Sequence, residues 1–235
     1  SGDRIRQPMG TVLEMMMIRT LISCALALGI TASCTQTDSS DTSVTEKALA
    51  TIGVQSNRAQ LQDLRFAQQA QAGVPTLKFG IEDLDIVTQA VPDTMRDGIQ
   101  TWLIAGGMSF SLQDGFLRST RGLGDDLMAA DIAQTRAAVL GLKAGQATRT
   151  MAYIGAEDTI EKRSFTCEIT VRGPRELTIN ATKTATTLVA EDCSGLTGTF
   201  GNLYWVKTAT GKVVQSRQWG SDRIGPIVMR IGRNQ

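Results

Sequence analysis

GTFGNLYWVKTATGKVVQSRQW, residues 198–219, reads as two strands and the turn that joins them. Gly198 to Lys207 and Lys212 to Gln218 are rich in β-branched and aromatic residues, and Ala209-Thr210-Gly211 is a short turn between them. The texture continues on both sides. Arg149 to Ile154, Arg163 to Val171, Glu176 to Thr182, Thr184 to Ala190 and Pro226 to Ile231 are candidate strands. Upstream, Thr76 to Phe79, Gln100 to Ala105, Met108 to Leu112 and Phe116 to Ser119 read the same way. Asp114-Gly115 is a tight-turn signal, and Gly106-Gly107 marks a bulge or bend between strands. So many short strands predict a mainly β chain: an antiparallel β-sandwich or barrel-like domain with a few short helices.

Two stretches depart from that texture. Glu46 to Ala72 is rich in Ala, Gln, Leu and Arg, with Ala59, Leu61, Leu64, Phe66 and Ala67 at loose helical spacing. One or two short helices are expected there, stopped by Gly73 and Pro75. Asp125 to Lys143 is ambiguous: its Ala and Leu content suggests a helix that Gly141 and Gly145 end, with Asp125 after Gly124 as its N-cap.

Ahead of the β region, MMMIRTLISCALALGITASC (residues 15–34) has the three parts of a secretory signal. Arg19 is the positive start, Leu21 to Ile30 the apolar core, and Thr31-Ala32-Ser33 the small residues before a cysteine. The apolar run is about ten residues, well under the roughly 20 that span a bilayer. A cysteine at this place resembles a lipobox, in which Cys34 becomes the mature N-terminus and carries acyl chains, palmitate among them. Cys24 is a rival without enough apolar core between it and Arg19. Thr35 to Thr45 (TQTDSSDTSVT) is polar and aromatic-free, the composition of a flexible tether. The expected organisation is a leader over 1–33, a lipidated N-terminus and tether over 34–45, and one β-rich, periplasm-facing domain over 46–235. Residues 1–14 are unlike a signal peptide and are set aside from the fold reading.

The chain has 235 residues, no histidine and a formal charge of +1. Absence of histidine removes Ser-His-Asp and Cys-His nucleophile systems and the commonest zinc ligand. Enzymes that use carboxylates, lysine or a cofactor stay open. No basic surplus points to nucleic acid, Gly122-Leu123-Gly124 lacks the spacing of a phosphate loop, and no cofactor or metal site is expected. With Cys24 removed and Cys34 lipidated, Cys167 and Cys193 remain, and in an oxidising compartment such a pair reads as a disulfide. The closed loop of about 27 residues is worth roughly 3 kcal/mol on the chain-entropy model. A redox couple would take the C-x-x-C form instead.

Asn202-Leu203-Tyr204-Trp205-Val206, then Gly211, Val213 and Ser216-Arg217-Gln218-Trp219, resembles the YjbF/GfcB family of capsule and exopolysaccharide lipoproteins. Arg121-Gly122-Leu123-Gly124-Asp125-Asp126-Leu127 and the region of Cys193 are similar to that family too. The resemblance covers roughly Thr76 to Ile231. It implies a membrane-anchored β-rich domain facing the periplasm beside polysaccharide-export proteins, with no catalytic residues to carry over.

Tyr204, Trp205 and Trp219 concentrate aromatic faces that stack on sugar rings, and Arg217, Gln218 and Arg121 add donors for hydroxyls or sugar carboxylates. Tyr204 and Trp205 point to opposite faces of a strand, so one of them is free to be core. The plainer alternative is that the buried aromatic packs the interior and Arg217 pairs with an acid. Asp125 and Asp126 are the candidate acid and nucleophile of a carboxylate-dependent carbohydrate-active enzyme, but neighbouring side chains diverge. The expected function is non-enzymatic: an outer-membrane accessory lipoprotein of capsule or exopolysaccharide assembly or export, binding the glycan, a secretion partner, or both. The other readings are the carboxylate enzyme and a purely structural envelope lipoprotein.

Overall fold

The computed structural model describes residues 60–154 and 159–232. The leader, Cys34, the tether and the start of the helical stretch lie outside them. A helix, α1, covers residues 60–71. The first strands are β1 (Leu77–Ile81), β2 (Ile86–Arg96), β3 (Ile99–Ile104), β4 (Met108–Gln113), β5 (Phe116–Arg121) and β6 (Leu127–Asp131). A helix α2 (Ala133–Leu140) leads into β7 (Gly145–Ile154), β8 (Ile160–Ile179) and β9 (Thr182–Gly195). The opening hairpin of the sequence reading is β10 (Gly198–Lys207) and β11 (Val213–Ser221), and β12 (Gly225–Ile231) ends the set.

Each strand pairs antiparallel with its sequence neighbour wherever a turn is short, and β1 pairs with β12. The resulting order is β5-β4-β3-β2-β1-β12-β11-β10-β9-β8-β7-β6. Its two outermost strands, β5 and β6, are consecutive in the chain, so the sheet comes round to meet itself as a nearly closed barrel. Closure disposes of edges that would otherwise invite pairing with another chain.

Alternation fills the inside. Asn202, Tyr204 and Val206 of β10 are buried while Leu203, Trp205 and Lys207 are half-exposed. Phe79 stacks on Phe110, and Phe116 lies against Tyr204 at 4.8 Å between ring centroids. A wide twelve-stranded barrel would enclose a lumen. Here β5 crosses to β11 instead: Gln218 accepts from Leu117 N and donates to the Gly115 carbonyl. The Asp114-Gly115 turn, both residues at positive φ, packs so close to β11 that a Cβ on Gly115 would meet Val213 Cβ at 2.7 Å.

Two sequence expectations change, and two features of the structure were not foreseen. Asp125 to Lys143 divides into β6 and α2, and Asp125 is not an N-cap; Asp131 Oδ1 accepts from Ala133 N at the helix start. The runs Arg163 to Val171 and Glu176 to Thr182 are not separate: Arg163 to Ile179 belongs to the single strand β8, bulged between Val171 and Gly173, and Thr182 opens β9. The strand β2 is absent from the sequence reading; it carries Pro92 and Asp93, which the structure absorbs in an irregular register between Pro92 and Met95. The exact-length hairpin turn Asn180-Ala181, with both residues at positive φ, lacks the glycine that marks such turns.

Candidate functional site

Three constellations hold the polar residues of interest. The first lies inside the barrel. Strand alternation puts Arg149 in phase with Ala147 and Met151, and Glu191 in phase with Val189 and Cys193, so both charges point into the core. Both side chains are fully buried. The Glu191 carboxylate accepts from Thr135 Oγ1 at 2.6 Å, Asn202 Nδ2 at 2.7 Å, Tyr204 OH at 2.8 Å and Arg149 Nη1 at 3.1 Å. Burial works most strongly against the Arg149 charge, but the Glu191 carboxylate and the Tyr204 oxygen beside it together outweigh burial and lift the guanidinium above its ordinary value. Burial first, and the Glu191 charge second, hold the Tyr204 phenol well above the usual tyrosine range. Arg149 Nε and Nη2 meet no acceptor among the described residues. The Sγ atoms of Cys167 and Cys193 and a Glu191 oxygen lie within 4.8 Å of one another, yet the sulfurs are bonded to each other and offer no thiolate. The two cysteines sit directly opposite on β8 and β9, forming the disulfide that the sequence predicts.

The second is the seam between β5 and β6. Asp126 accepts from Thr120 Oγ1, Gly122 N and Leu123 N, and Thr120 Oγ1 accepts from Leu127 N. Arg121 Nη1 donates to the carbonyls of Thr120 and Leu127. The Arg-Gly-Leu-Gly-Asp-Asp-Leu run therefore closes the barrel with side chains where no backbone ladder does. Arg121, exposed at this seam, spends its Nη1 on those carbonyls and lies apart from Trp205 and Arg217, and the Asp126 carboxylate is held by three donors.

The third is the outer face. In an antiparallel sheet, residues paired directly across strands share a face. Trp205, Gln215, Arg230, Lys78 and Gln89 are successive register partners on β10, β11, β12, β1 and β2. Leu203, Arg217, Val228, Gly80 and Val87 make the next row. With strands ≈ 4.8 Å apart, each row is roughly 19 Å long. Arg217 grips Glu82, its Nε 3.0 and 2.8 Å from the two carboxylate oxygens. Arg230 Nε donates to Gln215 Oε1. A cleft of about 400 Å³ lies over Lys78, Gly80, Glu82, Ile86, Val87 and Arg230. Lys78 and Gln89 also line a cavity of about 850 Å³ that the Asn180-Ala181 turn and Gly73 bound on the other side.

The aromatic and amide candidates thus separate. Tyr204 and Gln218 are completely buried and belong to the interior, not to a ligand surface. The reason is alternation: Gln218 and Tyr204 occupy the inward phase of β11 and β10. Trp219 is half-buried, stacked on Phe200, which meets Phe165 edge-on. Trp205 and Arg217 remain together on the outer face. Sequence reasoning did not single out Lys78, Arg230, Gln215 or Gln89, nor Arg149 and Glu191. For the last two a signal existed, a charge on the apolar phase of a strand.

A protein-family model described as group 4 capsule polysaccharide lipoprotein GfcB, YjbF matches residues 31–231. The crystal structure of the hypothetical lipoprotein YmcC from Escherichia coli (K12) is similar in fold, with a TM-score of 0.61 at 18% identity, covering 67% of this chain and 86% of that one. No curated protein sequence matches this chain.

Proposed function

Because this chain belongs to the family of group 4 capsule polysaccharide lipoproteins, we propose that it is an accessory lipoprotein of capsule or exopolysaccharide assembly or export, acting without catalysis. In this reading Cys34 carries the lipid, Thr35 to Thr45 is the tether, and the barrel faces the periplasm from the outer membrane. Thr35 in place of an aspartate after the cysteine supports the outer membrane. Among the described residues no helix is long and apolar enough to cross a bilayer.

The barrel's work is to hold polysaccharide, alone or together with an export protein, on the outer face of β10, β11, β12, β1 and β2. The observation that carries this reading is the row Trp205, Gln215, Arg230, Lys78, Gln89. An indole stacks on the apolar face of a sugar ring, and amides and cations bond its hydroxyls. The indole of Trp205 is half-exposed, so a stacked sugar would alter its emission.

The test has two arms. Membrane fractionation of the wild type and Cys34→Ser is expected to move the protein from membrane to soluble fraction; a soluble product indifferent to the substitution ends the anchoring reading. Titration of the Cys34→Ser chain with exopolysaccharide should change tryptophan fluorescence, and Trp205→Ala should abolish most of the change. A silent wild type ends the glycan reading.

A further inference from the structure

We infer that the outer-face row selects an acidic polysaccharide, with the uronate-type carboxylates seated between Lys78 and Arg230; the inference rests on the glycan reading above. Lys78 and Arg230 are direct register partners on β1 and β12. Like charges placed opposite each other weaken a sheet. Neither cation is in an ion pair among the described residues, whereas Arg217 in the next row of the same face is held by Glu82.

The local carboxylates do not serve the pair. Glu82 and Asp85 line the same cleft but follow β1, whereas Lys78 sits near its start. Glu82 is committed to Arg217. Gln215 holds Arg230 by its Nε, which orients a guanidinium fork suited to bidentate contact with a carboxylate. A point charge from Lys78 stands beside it.

The neighbours argue for a sugar chain over an isolated anion. Trp205 and Gln215 lie on one side of the two cations and Gln89 on the other, in a single line across five strands. A stacking platform at Trp205, then the paired cations that Gln215 braces, then the Gln89 amide suit a polymer that repeats ring, carboxylate and hydroxyl. Gly80, at an outward position of the next row, leaves backbone as the floor of the cleft, and a Cβ there would meet the Ile86 carbonyl at 3.1 Å. Lys78 borders both cavities and Gln89 the larger one, so a bound chain has room to continue past the row at its Gln89 end.

Calorimetric titration of the Cys34→Ser chain with polygalacturonate oligosaccharides and with their carboxyl-reduced counterparts tests this. A hydrogen bond to a charged group is worth ≈ 1.5–3 kcal/mol, so the acidic chain should bind about tenfold tighter or more, with the preference weakening as salt rises. Lys78→Gln and Arg230→Gln should each reduce the acidic affinity towards the neutral one without lowering thermal stability, since each relieves the like-charge pair. Trp205→Ala should weaken both glycans alike. Equal binding of the two glycans by the wild type overturns the acidic selection and leaves the glycan reading standing; no binding of either overturns both. A preference that survives Lys78→Gln and Arg230→Gln, or equal binding of anionic phosphatidylglycerol vesicles, also overturns the assignment.

Discussion

Glu191→Gln is the sharpest probe of what holds this barrel together. Glutamine keeps the shape, and its amide oxygen can still accept from Asn202, Tyr204 and Arg149 while its NH2 group donates to Thr135 Oγ1. What the substitution removes is the charge. Arg149 then becomes a buried cation with no counter-ion, in a site where its Nε and Nη2 already lack acceptors. Breaking a buried pair from one side costs about 3–5 kcal/mol. For a chain of this size that lowers Tm by roughly 6–20 °C. Arg149→Met alone leaves a buried carboxylate with three donors and is also destabilising. The double variant removes both charges, and replacement of a buried ion pair by apolar groups is often near neutral. The double variant should therefore be more stable than Glu191→Gln alone, with a coupling of at least about 2 kcal/mol. Urea unfolding of the Cys34→Ser chain, followed by tryptophan fluorescence, supplies the four stabilities. Costs that add to within about 0.5 kcal/mol would refute the argument, because groups that share no interaction are additive.

Asp126→Ala should open the β5–β6 seam at a cost of about 2 kcal/mol, and amide exchange should quicken at Gly122, Leu123 and Leu127 while β8 to β10 stay protected. Reduction of Cys167–Cys193 should cost roughly 3 kcal/mol on the loop-entropy model, read from urea midpoints with and without dithiothreitol; an unchanged midpoint contradicts a stapling role. Burial raises the phenols of Tyr153 and Tyr204, so the folded chain keeps protons that the unfolded chain sheds above about pH 10. Stability should thus hold through neutral pH and fall as pH rises past 10. Tyr153→Phe should make that fall shallower; an equal slope in the variant removes Tyr153 as a cause.

Much of the fold is legible in local pattern. Gly198 to Lys207 is a strand in the sequence reading and in the structure, with Asn202, Tyr204 and Val206 inward as period-two alternation requires. Asp114-Gly115 is likewise a turn because those residues tolerate the positive φ that a two-residue hairpin demands. The misses have local reasons as well. Pro92 interrupts β2, and the bulge at Val171 and Gly173 makes one long strand look like two. The site was harder to read. Tyr204 and Gln218 look like ligand residues by type, but the inward phase assigns them to Glu191 and to the β5 backbone.

By itself the sequence determined most of the strands, the Asp114-Gly115 and Ala209-Thr210-Gly211 turns, the disulfide pair and the family, because each depends on neighbours a few positions apart or on a compact motif. Only the tertiary structure decided whether the domain is a sandwich or a barrel, since that turns on β1 pairing with β12 and β5 returning to β6. The β1–β12 pairing brings Lys78 from the first strand beside Arg230 from the last, and the inward phase of β7 and β9 brings Arg149 to Glu191. Pairing between distant strands is set by the free energy of the whole packed barrel, and no window of sequence contains it.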